Sequence, residues 1–127
     1  MENIFWDFTE KSPAINCDQD CGKIEIKGKS GLLNPDKFYQ PLIKWIDEYA
    51  KHPKEITTVD IRLEYFNTRT SKSLLEIFRR LENKLHLDGH NVDINWYYDK
   101  GDDDLFESGQ DYASLLQIPF KIREAEE

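Results

Sequence analysis

The strand-like segments of this chain alternate between apolar and polar residues, and this pattern limits the folds that the chain can adopt. In TTVDIRLEYFN, residues 57–67, Val59, Ile61, Leu63 and Tyr65 alternate with charged residues and a phenylalanine. The later segment VDINWYYD alternates in the same way. Strands that are covered on both faces are continuous apolar runs. Each of these strands is therefore predicted to have one buried face and one wet face.

Two segments between the strands have the helical period instead. Residues spaced i, i+4, i+7, i+8 form an apolar stripe in the first segment, and a similar stripe follows in the second. Asn34 before Pro35 is typical of a helix cap, but Pro41 lacks a donor. We therefore expect the regular helix to begin near residue 38. The two stripes consist of Phe38, Leu42, Trp45, Ile46 and Tyr49, and of Leu74, Leu75, Phe78, Leu81 and Leu85.

These elements predict a single α/β domain over residues 1–127 in the order β-β-α-β-α-β-α-β. An acidic helix near residues 102–115 and a short strand in IPFKIR complete the order. Alternating strands beside amphipathic helices favour two layers: a small mixed β-sheet with helices mainly on one face. The N-terminal aromatics Phe5, Trp6 and Phe8 either cover a sheet edge, which we favour, or belong to a partner surface.

The charge of the chain excludes several classes of partner. Its 127 residues carry a formal charge of −8, with a pI of about 4.9. Such a surface repels nucleic acid and anionic membranes, so a protein partner with a basic patch fits better. No apolar run approaches a membrane span, and MENIFWDFTE has no signal-peptide core. We expect a cytoplasmic protein.

The residue types that usually carry catalysis form no recognisable site. Zinc bound by Cys17 and Cys21 would need two further ligands, and His52, His86 and His90 are scattered. The sequence contains no GxGxxG, GxxxxGK or GxSxG motif. We expect free thiols, no cofactor and no enzymatic activity.

An acidic cluster near residues 99–111 leaves one enzymatic alternative open. Carboxylates can hold a hard cation, so a small metal-dependent enzyme stays a second alternative. The cluster lacks the EF-hand pattern, and carboxylates are favoured at a helix N-terminus, so we interpret it as a solvated helix start. Its members are Asp99, Asp102, Asp103, Asp104, Glu107 and Asp111.

The segment LEYFNTRTSKSLLEIFRRLE, residues 63–82, carries three hydroxyls and two cations where a strand gives way to a helix. Thr68, Thr70 and Ser71 alternate with Arg69 and Lys72. A helix start needs one cap, and a hydroxyl can supply it.

Two interpretations of these hydroxyls remain open. In the first, they only cap the helix, and Ser73 with Glu76 forms a possible capping box. In the second, one hydroxyl accepts a phosphate, which adds a charge of about −1.5 to −2 beside free helix amides. A docked partner would then meet a bulky dianion, so binding would be switched.

The chain resembles the SiaC family of bacterial regulatory phosphoproteins over nearly its full length. Asn67, Thr68, Thr70 and Lys72 match the family pattern at the strand-to-helix turn, whereas Arg69 replaces the usual Ser or Thr. The segments that carry the resemblance are SPAI (12–15), FYQPLIKWI (38–46), LEYFNTRTSKSLLEIF (63–78), WYYD (96–99) and IPFKI (118–122).

The resemblance implies a STAS-like fold, as in anti-sigma-factor antagonists, and a phosphorylation cycle. A Ser/Thr kinase with a histidine-kinase-like fold adds the phosphate and a PPM-type phosphatase removes it. The acceptor matches Thr68, with Thr70 and then Ser71 as runners-up. Asn67 is expected to orient the turn, and the partner-binding residues are Asn67, Arg69, Thr70, Ser71 and Lys72.

The resemblance also implies an output. The unphosphorylated form binds and activates a diguanylate cyclase, which ties the switch to cyclic-di-GMP and biofilm formation. The alternative is a partner-switching protein of the anti-sigma-factor-antagonist type, which binds its kinase.

Overall fold

A mixed six-stranded sheet forms one layer of the protein in a computed structural model that describes residues 2–126. The strands lie side by side in the order of the sequence. The first three pair antiparallel, and the remaining neighbours pair parallel. The strands are β1 (Ile4–Trp6), β2 (Ala14–Asp18), β3 (Lys23–Ser30), β4 (Ile56–Phe66), β5 (Asn91–Tyr98) and β6 (Phe120–Glu124).

The second layer consists of helices α1 (Pro35–Tyr49), α2 (Thr68–Leu81) and α3 (Asp103–Leu115), each of which connects two parallel strands. Every crossover advances in the same direction across the sheet. Because such crossovers are right-handed, successive helices fall on the same face. The predicted fold class, a two-layer α/β domain with a mixed sheet, is confirmed.

The alternation of the strands decides which residues enter the core. Most side chains at every second position of β3, β4 and β5 point toward the helices and are buried, and each aliphatic one contributes about 1.5–3 kcal/mol on burial. Tyr65, near the end of β4, is 54% exposed instead. An aromatic group extends this core under α3. It consists of Phe78, Trp96, Tyr112 and Phe120, whose ring centroids lie 5.1–6.5 Å apart.

One detail of the predicted element order is wrong. The aromatic N-terminus contains β1, which pairs with β2, so the order begins with three strands. Trp6 packs edge-on against Phe38 of α1, with ring centroids 5.5 Å apart. The segment thus covers a sheet edge, while Phe5 and Phe8 stay exposed.

Helix α1 begins at Pro35 rather than near residue 38. Pro35 suits the first turn because its missing N–H needs no partner there, and Asn34 Oδ1 accepts from Lys37 N at 3.4 Å. Pro41 lies on the exposed side of the helix, where solvent can reach the carbonyl that it leaves without a donor.

The carboxylate of Glu82 links the C-terminal end of α2 to the segment that follows α3. α2 continues into a π-helical turn, Glu82–His86. Glu82 accepts from Gln117 N at 2.5 Å, Ile118 N at 3.4 Å and Arg79 Nη1 at 3.1 Å. Burial opposes ionisation of Glu82, but these donors outweigh it and hold its pKa below the ordinary value.

Both cysteines are free, as expected. Cys17 is buried in β2, where burial raises the pKa of its thiol to about 12, and Cys21 is exposed in the following turn. Within residues 2–126, none of the helices has the length and apolar character that crossing a bilayer requires.

Candidate functional site

Asn67 shapes the turn between β4 and α2. Its Oδ1 accepts from Thr70 N at 2.9 Å, so Asn67 caps the helix. Its Nδ2 donates to Leu32 O at 2.9 Å, and its backbone N donates to Ser30 O at 3.1 Å. The turn is therefore fixed to the loop that follows β3, and the prediction that Asn67 orients the turn is confirmed.

The expectation that a hydroxyl caps α2 is wrong. An asparagine side chain caps as well as Ser or Thr does, and Asn67 takes the role one residue before the hydroxyls begin. The capping box is also absent from this turn, because Ser73 lies inside the helix. Its Oγ is buried and donates to Asp36 Oδ1 of α1 at 3.1 Å.

Thr68 is the first residue of α2, and its side chain is exposed. Its hydroxyl makes no hydrogen bond to any residue in the described part of the chain. The first N–H groups of a helix have no intrahelical partner. Because Asn67 takes the N–H of Thr70, those of Thr68 and Arg69 are left for solvent or an anion.

Thr70 lies on the opposite side of the helix and is 0% exposed. Its Oγ1 is 2.8 Å from Ser30 Oγ, which is 2.8 Å from the hydroxyl of Tyr39. Thr70 Oγ1 also donates to Ser30 O at 3.1 Å. Burial raises the pKa of Tyr39 to about 12. The structure therefore places Thr70 in a buried hydroxyl chain, away from the surface on which the sequence analysis expected it.

The remaining residues of the turn have separate contacts. Ser71 is half-buried, and its Oγ donates to Thr68 O at 2.6 Å, while its own carbonyl accepts from Tyr112 at 2.9 Å. Arg69 Nη1 donates to Leu33 O at 2.7 Å. Lys72 is exposed and forms no ion pair within residues 2–126. Arg69 thus holds the loop beside the turn, and Lys72 faces solvent.

A groove of about 380 Å³ separates the start of α2 from the start of α3. Asp102 caps α3 by accepting from Leu105 N at 3.1 Å. Asp103 and Asp104 occupy the first turn of α3, so the acidic cluster contains a helix start, as predicted. The lining of the groove includes Glu64, Tyr65, Thr68, Ser71, Asp102, Asp104 and Ser108.

The acidic residues near α3 are not grouped as metal ligands in the part of the chain that the structure describes. Across residues 2–126, no group of three or more His, Cys, Asp or Glu side chains is placed to hold a metal ion. The part of the chain that the structure describes therefore gives no support to the alternative of a metal-dependent enzyme.

Sequence reasoning missed the residues that hold the turn from outside it. Ser30, Leu32 and Leu33 contact the start of α2 from β3 and its loop. Tyr39 of α1 is bonded to Ser30 and so supports it indirectly. They lie about thirty to forty positions away in the sequence, and nothing local identifies them. The parallel pairing of β3 with β4 is the feature that brings them together.

Comparison with known proteins gives a consistent result over the whole chain. The model of the SiaC family regulatory phosphoproteins matches residues 6–125. A curated relative, an uncharacterized protein of Pseudomonas aeruginosa (strain UCBPP-PA14), is 27% identical over 127 residues, covering 100% of both chains.

Solved structures of SiaC from Pseudomonas aeruginosa have the same fold. The chain matches apo-SiaC with a TM-score of 0.88 and 26% identity, over 97% of this chain and 99% of the other. It also matches a chain in the complex of diguanylate cyclase SiaD with its activator SiaC. That match has a TM-score of 0.88 and 26% identity, over 98% of this chain and 100% of the other.

Proposed function

The chain belongs to the SiaC family of regulatory phosphoproteins, and from this membership we propose that phosphorylation of Thr68 switches its binding to partners. It is a regulatory protein rather than an enzyme. The proposal rests mainly on the hydroxyl of Thr68 at the first position of α2, which is exposed and makes no hydrogen bond within residues 2–126.

Accessibility ranks the three candidate acceptors. A kinase must bring the hydroxyl to its own active site, so an exposed side chain without competing bonds is favoured. Thr68 meets this condition. Ser71 is half-buried with its hydroxyl bonded to Thr68 O, and Thr70 is buried behind the helix. This ranking supports Thr68, with Ser71 rather than Thr70 as the runner-up.

The electrostatics of the turn suit an added anion. A phosphate on Thr68 carries about −1.5 to −2 charges, and the positive end of the helix dipole lies beside it. The first turn of α2 contains no acidic residue of its own. Arg69 and Lys72 add two cations. Because Asn67 already caps Thr70 N, the phosphate can approach the remaining N–H groups without displacing the cap.

The surroundings favour a phosphate that points outward. Glu64, Asp102 and Asp104 line the same groove as Thr68, and their negative charges would repel a dianion inside it. The phosphate should therefore turn from the groove toward Arg69 and solvent. There it would meet a docked partner.

The surface around Thr68 has features of a protein interface. Leu33, whose carbonyl holds Arg69, is 82% exposed, and Tyr65 in the groove is 54% exposed. Exposed aromatic residues are enriched in interfaces. A dianion on Thr68 would share the groove with Tyr65 and disfavour apolar contact there, so we assign partner binding to the unphosphorylated form.

The likeness to the SiaD–SiaC complex supports a specific output. We infer that unphosphorylated protein binds and activates a diguanylate cyclase and so acts in cyclic-di-GMP and biofilm regulation. A Ser/Thr kinase with a histidine-kinase-like fold and a PPM-type phosphatase would set the phosphorylation state. Arg69, Ser71 and Lys72 surround the acceptor and are the residues we assign to partner contact, with Asn67 holding the turn.

The first test is phosphopeptide mass spectrometry on the protein isolated from its native host. Wild type, Thr68→Ala and the control Ser114→Ala are compared, since Ser114 is an exposed helical hydroxyl on α3. We expect phosphate on Thr68 in wild type and Ser114→Ala, and none in Thr68→Ala. Phosphate found only on Ser71 or Thr70 would contradict the assignment.

The output is tested with the same variants as affinity baits. Thr68→Ala should retain a diguanylate cyclase, and adding it to that cyclase should raise cyclic-di-GMP synthesis. Protein phosphorylated on Thr68 should do neither. Capture of a kinase that itself holds a sigma factor, with no cyclase, would favour the anti-sigma-factor-antagonist alternative.

A further inference from the structure

The two edges of the sheet differ in how they are protected against pairing with another chain. Among residues 2–126, β1 and β6 are the outermost strands. Charged residues and proline on an edge strand discourage such pairing. β6 carries Lys121 and Arg123 and directly follows Pro119, whereas the sequence of β1 is Ile-Phe-Trp. β1 is therefore the edge that can still accept a further strand.

Three aromatic side chains are exposed at the β1 edge. Phe5 is 63% exposed, Phe8 is 67% exposed and Trp6 is 37% exposed. Trp6 also packs against Phe38 of α1. Exposed apolar patches on a small protein mark interaction sites, and aromatic residues are enriched in protein interfaces. The N-terminal aromatics thus cover the sheet on one side and present a contact surface on the other.

The register of β1 assigns a different chemistry to each face of this edge. Ile4 pairs with Cys17 and Trp6 pairs with Ile15, and both partners are buried beneath the helices. Directly paired side chains share a face, and successive ones alternate. Ile4 and Trp6 therefore lie on the helix side, and Phe5 lies on the open face. A strand added here would meet apolar side chains on the first face and the Phe5 ring on the second.

Two carboxylates lie near Phe5. Asp7 follows it by two positions in the chain, and Asp18 is its diagonal neighbour in β2, since Asn16 is the direct partner of Phe5. Both carboxylates accept hydrogen bonds from neutral N–H groups. Within residues 2–126, neither forms an ion pair. Their negative charges therefore remain available to a partner.

The charge balance around β1 is negative along the chain and across the sheet. The segment 2–20 contains five acidic residues and one cation, Lys11. The lysines that pair with β2, Lys23 and Lys27, belong to β3, which lies two strands or about 10 Å from β1. Lys23 Nζ is already 3.6 Å from Asp60. The acidic residues of the segment are Glu2, Asp7, Glu10, Asp18 and Asp20.

We propose that the β1 edge binds an extended basic segment of a protein partner, which adds to the sheet as a further strand. The apolar side chains of that segment pack against Ile4 and Trp6, and its lysines or arginines lie over Phe5 beside Asp7 and Asp18. A cation over an aromatic ring is attracted by the quadrupole of the ring, so Phe5 and the carboxylates favour the same charge. Main-chain hydrogen bonds along the edge supply affinity in this mode of recognition.

A partner protein suits this edge better than a second copy of the chain does. Two copies paired along β1 would bring together edges of the same negative charge, on chains of −8 each, and like charges across an interface are unfavourable. β1 has only three residues, so the aromatic contacts must add to a small number of main-chain bonds. The site is separate from Thr68, because β4, which leads into α2, lies three strands away.

The test measures fluorescence anisotropy of a labelled heptapeptide of alternating lysine and valine with the complete protein. One control peptide has glutamate in place of lysine. The other is N-methylated at its central lysine and the adjacent valine, which removes N–H donors along both edges of the peptide. We expect each control to bind at least about fivefold more weakly than the lysine–valine peptide. Binding of the lysine–valine peptide should weaken as the salt rises from about 50 to about 200 mM.

Substitutions in the protein locate the site. Phe5→Ala should weaken binding at least about fivefold, whereas Leu87→Ala, at another largely exposed apolar residue, should stay within about twofold. Asp7→Lys should also weaken binding at least about fivefold. Glu107→Lys makes the same change of net charge at an exposed position of α3 and should stay within about twofold. Circular dichroism checks that each variant folds.

Amide hydrogen exchange followed by NMR tests strand addition in the unaltered protein. A saturating concentration of the lysine–valine peptide should slow exchange at residues 4–6 of β1 at least about threefold, because main-chain hydrogen bonds protect amides. Exchange at residues 120–124 of β6 should stay unchanged.

Any of three results would overturn the proposal. In the first, the lysine–valine peptide binds no more tightly than the two control peptides. In the second, Phe5→Ala and Leu87→Ala weaken binding equally, or protection appears in β6 instead of β1. In the third, sedimentation velocity without peptide shows a dimer that Phe5→Ala dissociates, which would assign the edge to a second copy of the chain.

Discussion

The starts of α2 and α3 border the same groove but stabilise their helix dipoles in different ways. α3 begins with Asp102 as its cap and with Asp103 and Asp104 in its first turn. α2 begins with the neutral cap Asn67, and its first turn contains Arg69 instead of an acidic residue. Both helices expose free N–H groups at this end. Only α3 places permanent negative charge next to them.

The charge at the start of α3 is fixed, whereas the charge at the start of α2 would change if Thr68 were phosphorylated as proposed. Permanent carboxylates contribute about 0.3–1 kcal/mol each at a helix N-terminus, and nothing in the cell removes them. At α2 the same position holds Thr68, so the favourable charge is absent unless the proposed phosphate is added. Beneath it, the buried chain through Thr70 keeps the helix in place in either state.

The largest effect on stability is expected from substituting Thr70, which is buried beneath the start of α2. Thr70→Asp should reduce the free energy of unfolding by about 3 kcal/mol or more, because an unpaired charge would be buried against Ser30. Thr70→Ser keeps the hydroxyl and should cost less than about 1.5 kcal/mol. Urea denaturation followed by circular dichroism measures both. Equal stability of the two variants would mean that Thr70 is not enclosed.

A second test concerns the far ends of the same two helices. Glu82→Gln should lower the stability by about 2 kcal/mol at pH 7, because charge-assisted bonds to Gln117 and Ile118 are weakened. Since the folded pKa of Glu82 lies below its ordinary value of 4.5, the contribution is present above that pH. It is lost as the pH falls through the folded pKa.

Urea denaturation from pH 7 down to about 3 follows this loss, with exposed Glu76→Gln on α2 as the matched control. The difference in the free energy of unfolding between wild type and Glu82→Gln should narrow as the pH falls. The difference between wild type and Glu76→Gln should stay small at every pH. A constant gap would contradict the role of the Glu82 charge.

The caps themselves should differ in strength. Asn67→Ala should cost about 2 kcal/mol, because it removes both the cap on Thr70 N and the bond to Leu32 O. Asp102→Ala removes only a cap and should cost about 1 kcal/mol. Thermal unfolding of the two variants side by side measures the difference. Equal costs would show that the bond to Leu32 adds nothing.

Substituting the charged residues at the two helix starts should change stability by a smaller amount. Asp103→Asn with Asp104→Asn should lower stability by about 0.5–1 kcal/mol, and the loss should vanish in about 1 M NaCl. Arg69→Gln should change stability by less than about 0.5 kcal/mol, because losing the bond to Leu33 O is offset by removing a cation from a helix N-terminus. Denaturation at low and high salt compares them. A salt-dependent loss in Arg69→Gln would contradict the assignment.

The smallest effect on the fold is expected for the proposed acceptor. Thr68→Ala removes an exposed hydroxyl that has no hydrogen-bond partner in the described part of the chain, and it should change the free energy of unfolding by less than about 0.5 kcal/mol. Thermal unfolding of the purified variant is the measurement. A loss above about 1 kcal/mol would indicate that the Thr68 hydroxyl has a structural role.

The sequence predicts the layers of this fold better than it predicts its turns. Alternation in β4 and β5 and the stripes of α1 and α2 are local signals, and they correctly give a sheet with helices on one face. The sequence favours a hydroxyl as the cap of α2, because three hydroxyl residues follow Asn67 and any of them is chemically able to cap a helix. The cap is Asn67 instead. The burial of Thr70 could not be read locally, since its partners Ser30 and Tyr39 come from other elements.

The strand order has a consequence for biosynthesis. Because each strand pairs with the one made just before it, the sheet can extend in the direction of translation without waiting for distant segments. The portion made after β5 carries Tyr112 and Phe120, which cover Phe78 and Trp96. A chain interrupted before that portion leaves both rings uncovered, a surface that chaperones and proteases recognise. A chain that includes α3 and β6 covers it.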